Sequence, residues 1–146
     1  MDSDNEASKQ APAGKEPESA GQVLGVGGLF MASEDPAATA EWYHRVLGMR
    51  INDYGGFDFL HAHSAARFPE GARTVFAPFA AAADYFKPST LPFMLNLIVD
   101  DLEAVMARAL AAGEEPVQPA ENTDYGNFAW LMDPDGRKVE LWQPPS

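Results

Sequence analysis

From Leu95 to Val99 the chain alternates: Leu95, Leu97 and Val99 fall on one side, Asn96 and Ile98 on the other, the period of a strand with one buried face. Lys138 to Gln143 does the same, with Val139 and Leu141 against Lys138, Glu140 and Trp142. Elsewhere the period lengthens to that of a helix. Trp42, Tyr43, Val46 and Leu47 form an i, i+1, i+4, i+5 stripe behind Asp35-Pro36. That dipeptide starts a helix, because Asp accepts an orphan N–H and Pro at the first helical position loses nothing by lacking its donor. The stripe predicts a helix to Leu47 that stops at Gly48. A second helix is predicted from Leu102, Val105, Met106, Ala109 and Leu110, capped by Asp100 or Asp101, with Gly113 beyond its end.

Strand signals fill the rest. In the first half they are Val23–Ala32, Arg50–Tyr54, Phe57–Ala62 and Arg73–Phe79; in the second they are Phe93–Val99, Glu115–Gln118, Phe128–Met132 and Lys138–Gln143. The two halves share punctuation 65 residues apart: Asp35 and Asp100, Gly48 and Gly113, Pro69 and Pro134, Gly71 and Gly136. A fixed offset means one supersecondary unit used twice, each copy too small to bury its apolar face alone. The expected architecture is α+β: two tandem βαβββ modules, residues 23–79 and 93–144, joined by an ordered crossover at 80–92. Together they form a mixed, barrel-like curved sheet around a central cleft, with the helices outside, as a single domain over 23–146. Residues 1–22 carry five acidic and two basic side chains among Ala, Ser, Gly and Pro, and read as a disordered acidic tail.

Composition narrows the chemistry. The 146 residues include no cysteine, so disulfides are impossible and a metal would need nitrogen and oxygen ligands. A net charge of −12 argues against binding a phosphate backbone, so nucleic acid is not an expected partner. No apolar run approaches the roughly 20 residues that span a bilayer, and the N-terminus lacks a basic-then-apolar leader. A cytoplasmic protein with no membrane partner is expected.

Asp133-Pro134-Asp135-Gly136 followed by Val139-Glu140-Leu141-Trp142, with Val99-Asp100-Asp101-Leu102 and a helix ending in Ala112-Gly113 before it, resembles the glyoxalase, bleomycin-resistance and extradiol-dioxygenase (vicinal oxygen chelate) superfamily. The resemblance covers about Val23 to Pro144. It implies metal ligands on the first and last strands of each module, the last matching Glu140. Alignment to the family pattern and the 65-residue repeat put the other three positions at Gly28, Met94 and Val75. Glycine and valine offer no donor and a thioether is a poor ligand for a hard ion, so the family's metal centre is expected to be absent and no cofactor is needed.

What remains is a cleft with Glu140 as the candidate catalytic carboxylate, suited to a general base beside a carbonyl. Asn96, Trp130, Trp142, Tyr85 and Tyr125 are candidate ligand-binding residues, with Phe86 and Phe128 as further wall; these aromatics serve equally well as core or dimer contacts. Asp133-Pro134-Asp135-Gly136 reads as turn chemistry alone. Glu140 has a bland alternative, an ion pair with Lys138 or Arg73. The metal alternative is His61, His63 and Glu140, two imidazoles and a carboxylate, with the histidines on one side of a strand end. Three functions are open: a homodimeric, metal-independent binder of a small organic molecule; a lyase, isomerase or dioxygenase using Glu140 with a non-standard divalent metal or none; and a structural or regulatory module whose cleft is filled by its own side chains.

Overall fold

The computed structural model describes residues 21–146, so all but the last two residues of the segment read as an acidic tail lie outside it. The described chain divides into two units. Residues 21–31 and 73–84 make one; residues 32–72 and 85–146 make the other, which holds every helix and strand described here.

The larger unit is α+β, with three helices and a four-stranded mixed sheet among the described residues. In chain order these are α1 (Pro36–Leu47), α2 (His61–Arg67), β1 (Leu95–Ile98), α3 (Leu102–Ala111), β2 (Glu121–Thr123), β3 (Gly126–Met132) and β4 (Lys138–Gln143). Strand order is β1-β4-β3-β2, with β1 parallel to β4 and the other pairs antiparallel. A parallel pair needs a long crossover, and α3 supplies part of it.

The helix signals work as read. Asp35 accepts from Ala38 N at 3.0 Å and Asp101, not Asp100, accepts from Ala104 N at 3.0 Å. Gly48 ends α1 at φ 72°, where L side chains are strained, and a Cβ there would lie 2.7 Å from an Arg108 guanidinium nitrogen. Trp42, Tyr43, Val46 and Leu47 from α1 form one core with Leu102, Val105 and Ala109 from α3 and Ala129, Leu131, Val139 and Leu141 from the sheet. Leu95, Leu97 and Val99 pack on its margin, on the side that their alternation assigns. Leu110 is a correction: it is 54% exposed, so the buried stripe of α3 is narrower than predicted.

The second half realises β-α-β-β-β, with its second strand displaced. Glu115–Gln118 is not a strand; Pro116 within it and Pro119 just after it have no N–H to donate, and Val117 N bonds to Trp130 O. Glu121–Thr123 pairs instead. Among the described residues of the first half no strand forms, and the sheet is open rather than barrel-like. Arg50–Tyr54 yields to turn chemistry, since the Asn52 side chain accepts from Tyr54 N and Gly56 N. The end of Phe57–Ala62 is drawn into α2, where Ala62, Ala65, Ala66 and Arg67 favour helix. Val23–Ala32 and Arg73–Phe79 lack a ladder partner, without which a strand is not stable, and Gly25, Gly27 and Gly28 weaken the first further.

No described helix is long and apolar enough to cross a membrane.

Candidate binding face around Glu140

The sheet face opposite the α1–α3 core carries the chemistry. Strand register sets Glu140 between Asn96 on β1 and Trp130 on β3. Both neighbours donate to it: Asn96 Nδ2 to Oε1 at 2.6 Å and Trp130 Nε1 to Oε2 at 2.8 Å. The Tyr85 hydroxyl, from the crossover segment, donates to Oε2 as well. Glu140 is only 1% exposed, yet a carboxylate has about four acceptor positions and three are filled by neutral donors. Burial of a charge is tolerable when it is hydrogen-bonded in this way.

Lys138, two residues earlier on the same face, is also buried. Its ammonium donates to Tyr85 O at 2.7 Å and Gln118 Oε1 at 3.1 Å, and lies 5.2 Å from the Tyr85 ring centre and 5.7 Å from that of Trp130. Burial pulls its pKa below the usual lysine value, with Glu140 and Glu121 opposing. Lys138 is not an ion-pair partner of Glu140 here; uncharged donors take that place.

Aromatic rings extend the face. Phe128 lies nearly parallel to Trp130 and to Trp142, with centroids 6.3 and 6.4 Å away. Trp142 Nε1 donates to Tyr125 O at 2.8 Å. This close approach needs Gly126: at φ 119° a Cβ would stand 2.3 Å from Gln143 O and 2.8 Å from Trp142 Nε1.

The hairpin that presents β4 is anchored from below. Asp133 accepts from Tyr43 Oη at 2.6 Å, from Arg137 Nη1 at 2.8 Å and from the backbone N–H of Asp135 and Arg137. Arg137 also reaches Asp135 at 3.1 Å and the Ala32 carbonyl at 2.5 Å, while Thr39 donates to Asp135 at 2.7 Å. Burial, then the bond to Asp133, raises the Tyr43 pKa far above the ordinary phenol value. The Asp-Pro-Asp-Gly segment is thus more than a turn: it is a buried charge network tying β3–β4 to α1.

Of the residues picked from sequence, Glu140, Asn96, Trp130 and Tyr85 are brought together by direct bonds, and Trp142 lies on the same face. Tyr125 meets it through its carbonyl and is itself about half exposed. Gln118 gave no signal in sequence, and the sequence showed Lys138 only as facing the cleft and as a candidate ion-pair partner of Glu140. His61 and His63 sit two apart on a helix, not a strand, so they point to different sides; both are exposed whereas Glu140 is buried. No group of three or more His, Asp or Glu able to hold a metal occurs among the described residues. At the positions that the resemblance assigns to the superfamily's ligands, Gly28, Val75 and Met94 offer no oxygen or nitrogen side-chain donor, and the Glu140 oxygens are engaged by hydrogen-bond donors. This residue set does not fit the divalent ion.

A family model described as a glyoxalase-like domain matches residues 28–142. The chain belongs to the glyoxalase-like domain family. CFP32 of Mycobacterium bovis and of Mycobacterium tuberculosis, named for a glyoxylase assignment, is 27% identical over 116 residues, 77% of this glyoxalase-like chain but 43% of CFP32. The chain therefore spans less than half the length of those relatives. Among solved structures, a glyoxylase/bleomycin resistance protein/dioxygenase domain from Frankia sp. EAN1pec shares the fold at TM-score 0.50 and 16% identity, covering 85% of this chain and 100% of that one. TnmS3 of Streptomyces sp. CB03234, an antibiotic binding protein, is 26% identical with TM-score 0.44, covering 77% of this chain and 88% of its own.

Proposed function

We propose that this glyoxalase-like protein binds a small organic molecule, without metal, on the Glu140 face of its sheet. The observation that carries the reading is a buried carboxylate held by neutral donors beside the parallel rings of Phe128, Trp130 and Trp142. Flat apolar walls with a few placed polar groups are the usual make-up of a small-molecule site. The same geometry favours binding over the enzymatic alternative, since a general base needs a free lone pair in reach of its proton, and three of about four positions on Glu140 are occupied. Tryptophan fluorescence titrated with a panel of planar aromatic compounds tests this. Saturable quenching that survives chelator and weakens in Glu140→Ala is expected. Stoichiometric metal in the purified protein, with binding lost on chelation, would overturn it.

We also infer a homodimer in which the two halves act as matched modules. Val23, Leu24, Phe30 and Phe76 are apolar and 84–94% exposed, side chains that a second copy would cover. Light scattering that gives the mass of one chain at micromolar concentration overturns this part.

A further inference from the structure

We propose that the outer edge of β1 is the seam of the homodimer: two copies pair there antiparallel, joining their sheets with both Glu140 faces on one side. This rests on the homodimer inferred above and names its interface.

The two edges of the sheet are built differently. At one end β2 is three residues long, exposed and carries Glu121, a short and charged guard against pairing. At the other end residues 93–99 hold no charge and no proline. Their apolar side chains stay only half-buried, although Leu95, Leu97 and Val99 pack on the core. Val99 N donates to Trp142 O, so residues 95, 97 and 99 turn their backbone groups to β4 while Asn96 and Ile98 turn theirs outward. Among the described residues nothing pairs with that outward row.

The strand itself specifies the occupant. At a net charge of −12 two copies repel over most of their surface, and an uncharged stretch is where they can meet. An antiparallel register centred on Leu97 sets Leu95 opposite Val99 and Leu97 opposite its own equivalent on the helix side, with Asn96 opposite Ile98 on the Glu140 face. Every partner is uncharged, and the apolar margins of the two cores become continuous. The same register keeps Asp100 and Asp101 of the two copies at opposite ends of the seam, whereas parallel pairing would bring them together. Asn96 is exposed in one chain although it donates to Glu140 at 2.6 Å. In the pair it gains Ile98 of the second copy beside it, which walls the open flank of the binding face.

Because the chain has no cysteine, single thiols test the seam. Residues opposite one another in a non-hydrogen-bonded antiparallel pair lie about 4.5 Å apart at Cα, within disulfide reach. Thiols held opposite in a dimer meet at an effective concentration far above micromolar, so Leu97→Cys is expected to oxidise to a linked dimer at least about tenfold faster than Ala62→Cys, an exposed position off the sheet. Comparable rates overturn the proposal. Ile98→Pro removes an outward N–H and no bond to β4, so far-ultraviolet dichroism should be kept while the dimer constant weakens at least about tenfold. An unchanged constant overturns edge pairing, and the cross-link decides alone if the proline variant does not fold. Loss of the dimer in Ile98→Pro without the Leu97→Cys cross-link gives the edge to another segment and overturns self-pairing. A monomeric wild type overturns the homodimer too, whereas a dimer indifferent to both variants leaves it standing on a different surface.

Discussion

Tyr43 and Asp133, 90 residues apart, share a buried 2.6 Å hydrogen bond that joins α1 to the β3–β4 turn. The phenol is kept protonated by its burial and by the carboxylate that it serves. Tyr43→Phe leaves Asp133 its three bonds from Asp135 and Arg137, so the loss is moderate. A destabilisation of about 1–2 kcal/mol is expected in urea unfolding, with an unchanged m-value. In a spectrophotometric titration, the Tyr43 phenol should ionise only as the protein unfolds at high pH; a Tyr43→Phe variant that loses one ionisation from the folded-state curve contradicts the buried bond.

Removing Arg137 should cost far more. Its guanidinium is 2% exposed and its partner carboxylate on Asp133 0%. Arg137→Met strands that carboxylate, and breaking a buried pair in this way typically costs about 3–5 kcal/mol. A melting temperature within a degree or two of wild type would show that the network does not hold the hairpin.

Acid should act through Asp135. The Thr39 hydroxyl first, then that of Ser33 and the Arg137 guanidinium, hold its carboxyl below the usual value of 3.8. A depressed carboxylate contributes stability that is present above its unfolded pKa and is lost as pH falls through the lower folded one. Unfolding free energy should therefore drop below about pH 4, and Asp135→Asn should flatten that limb while leaving the slope above it alone. An identical acid limb in the variant would remove Asp135 from the account.

Glu140→Ala leaves three donors facing an empty place. Trp130 and Asn96 lose their common acceptor, with an expected cost of about 1–3 kcal/mol from the buried indole N–H alone. Near-ultraviolet dichroism of the tryptophans should change while far-ultraviolet dichroism does not. An unaltered tryptophan signal would mean that Trp130 does not depend on Glu140.

Gly126→Ala forces a Cβ to 2.3 Å from Gln143 O at a φ that L residues avoid. More than about 1 kcal/mol of destabilisation is expected, because alanine cannot take up that conformation unstrained. Amide exchange should quicken first at Thr123, which pairs with Gly126.

Where a residue's role depends on its neighbours in the chain, the sequence by itself determined it. Asp35-Pro36, the Trp42 to Leu47 stripe and Gly48 define α1 because caps and helical period act within one or two turns. The alternation of Lys138 to Gln143 assigned Val139 and Leu141 to the core and Glu140 to the opposite face, since a strand has only two sides. Only the tertiary structure decided what those faces meet. Tyr85 reaches Glu140 through the path of a crossover, Asn96 and Trp130 through strand register, and Asp133 reaches Tyr43 across the core. The first-half strands failed for the same reason: apolar runs such as Arg73–Phe79 have strand composition, but a strand exists only where another chain segment completes its ladder.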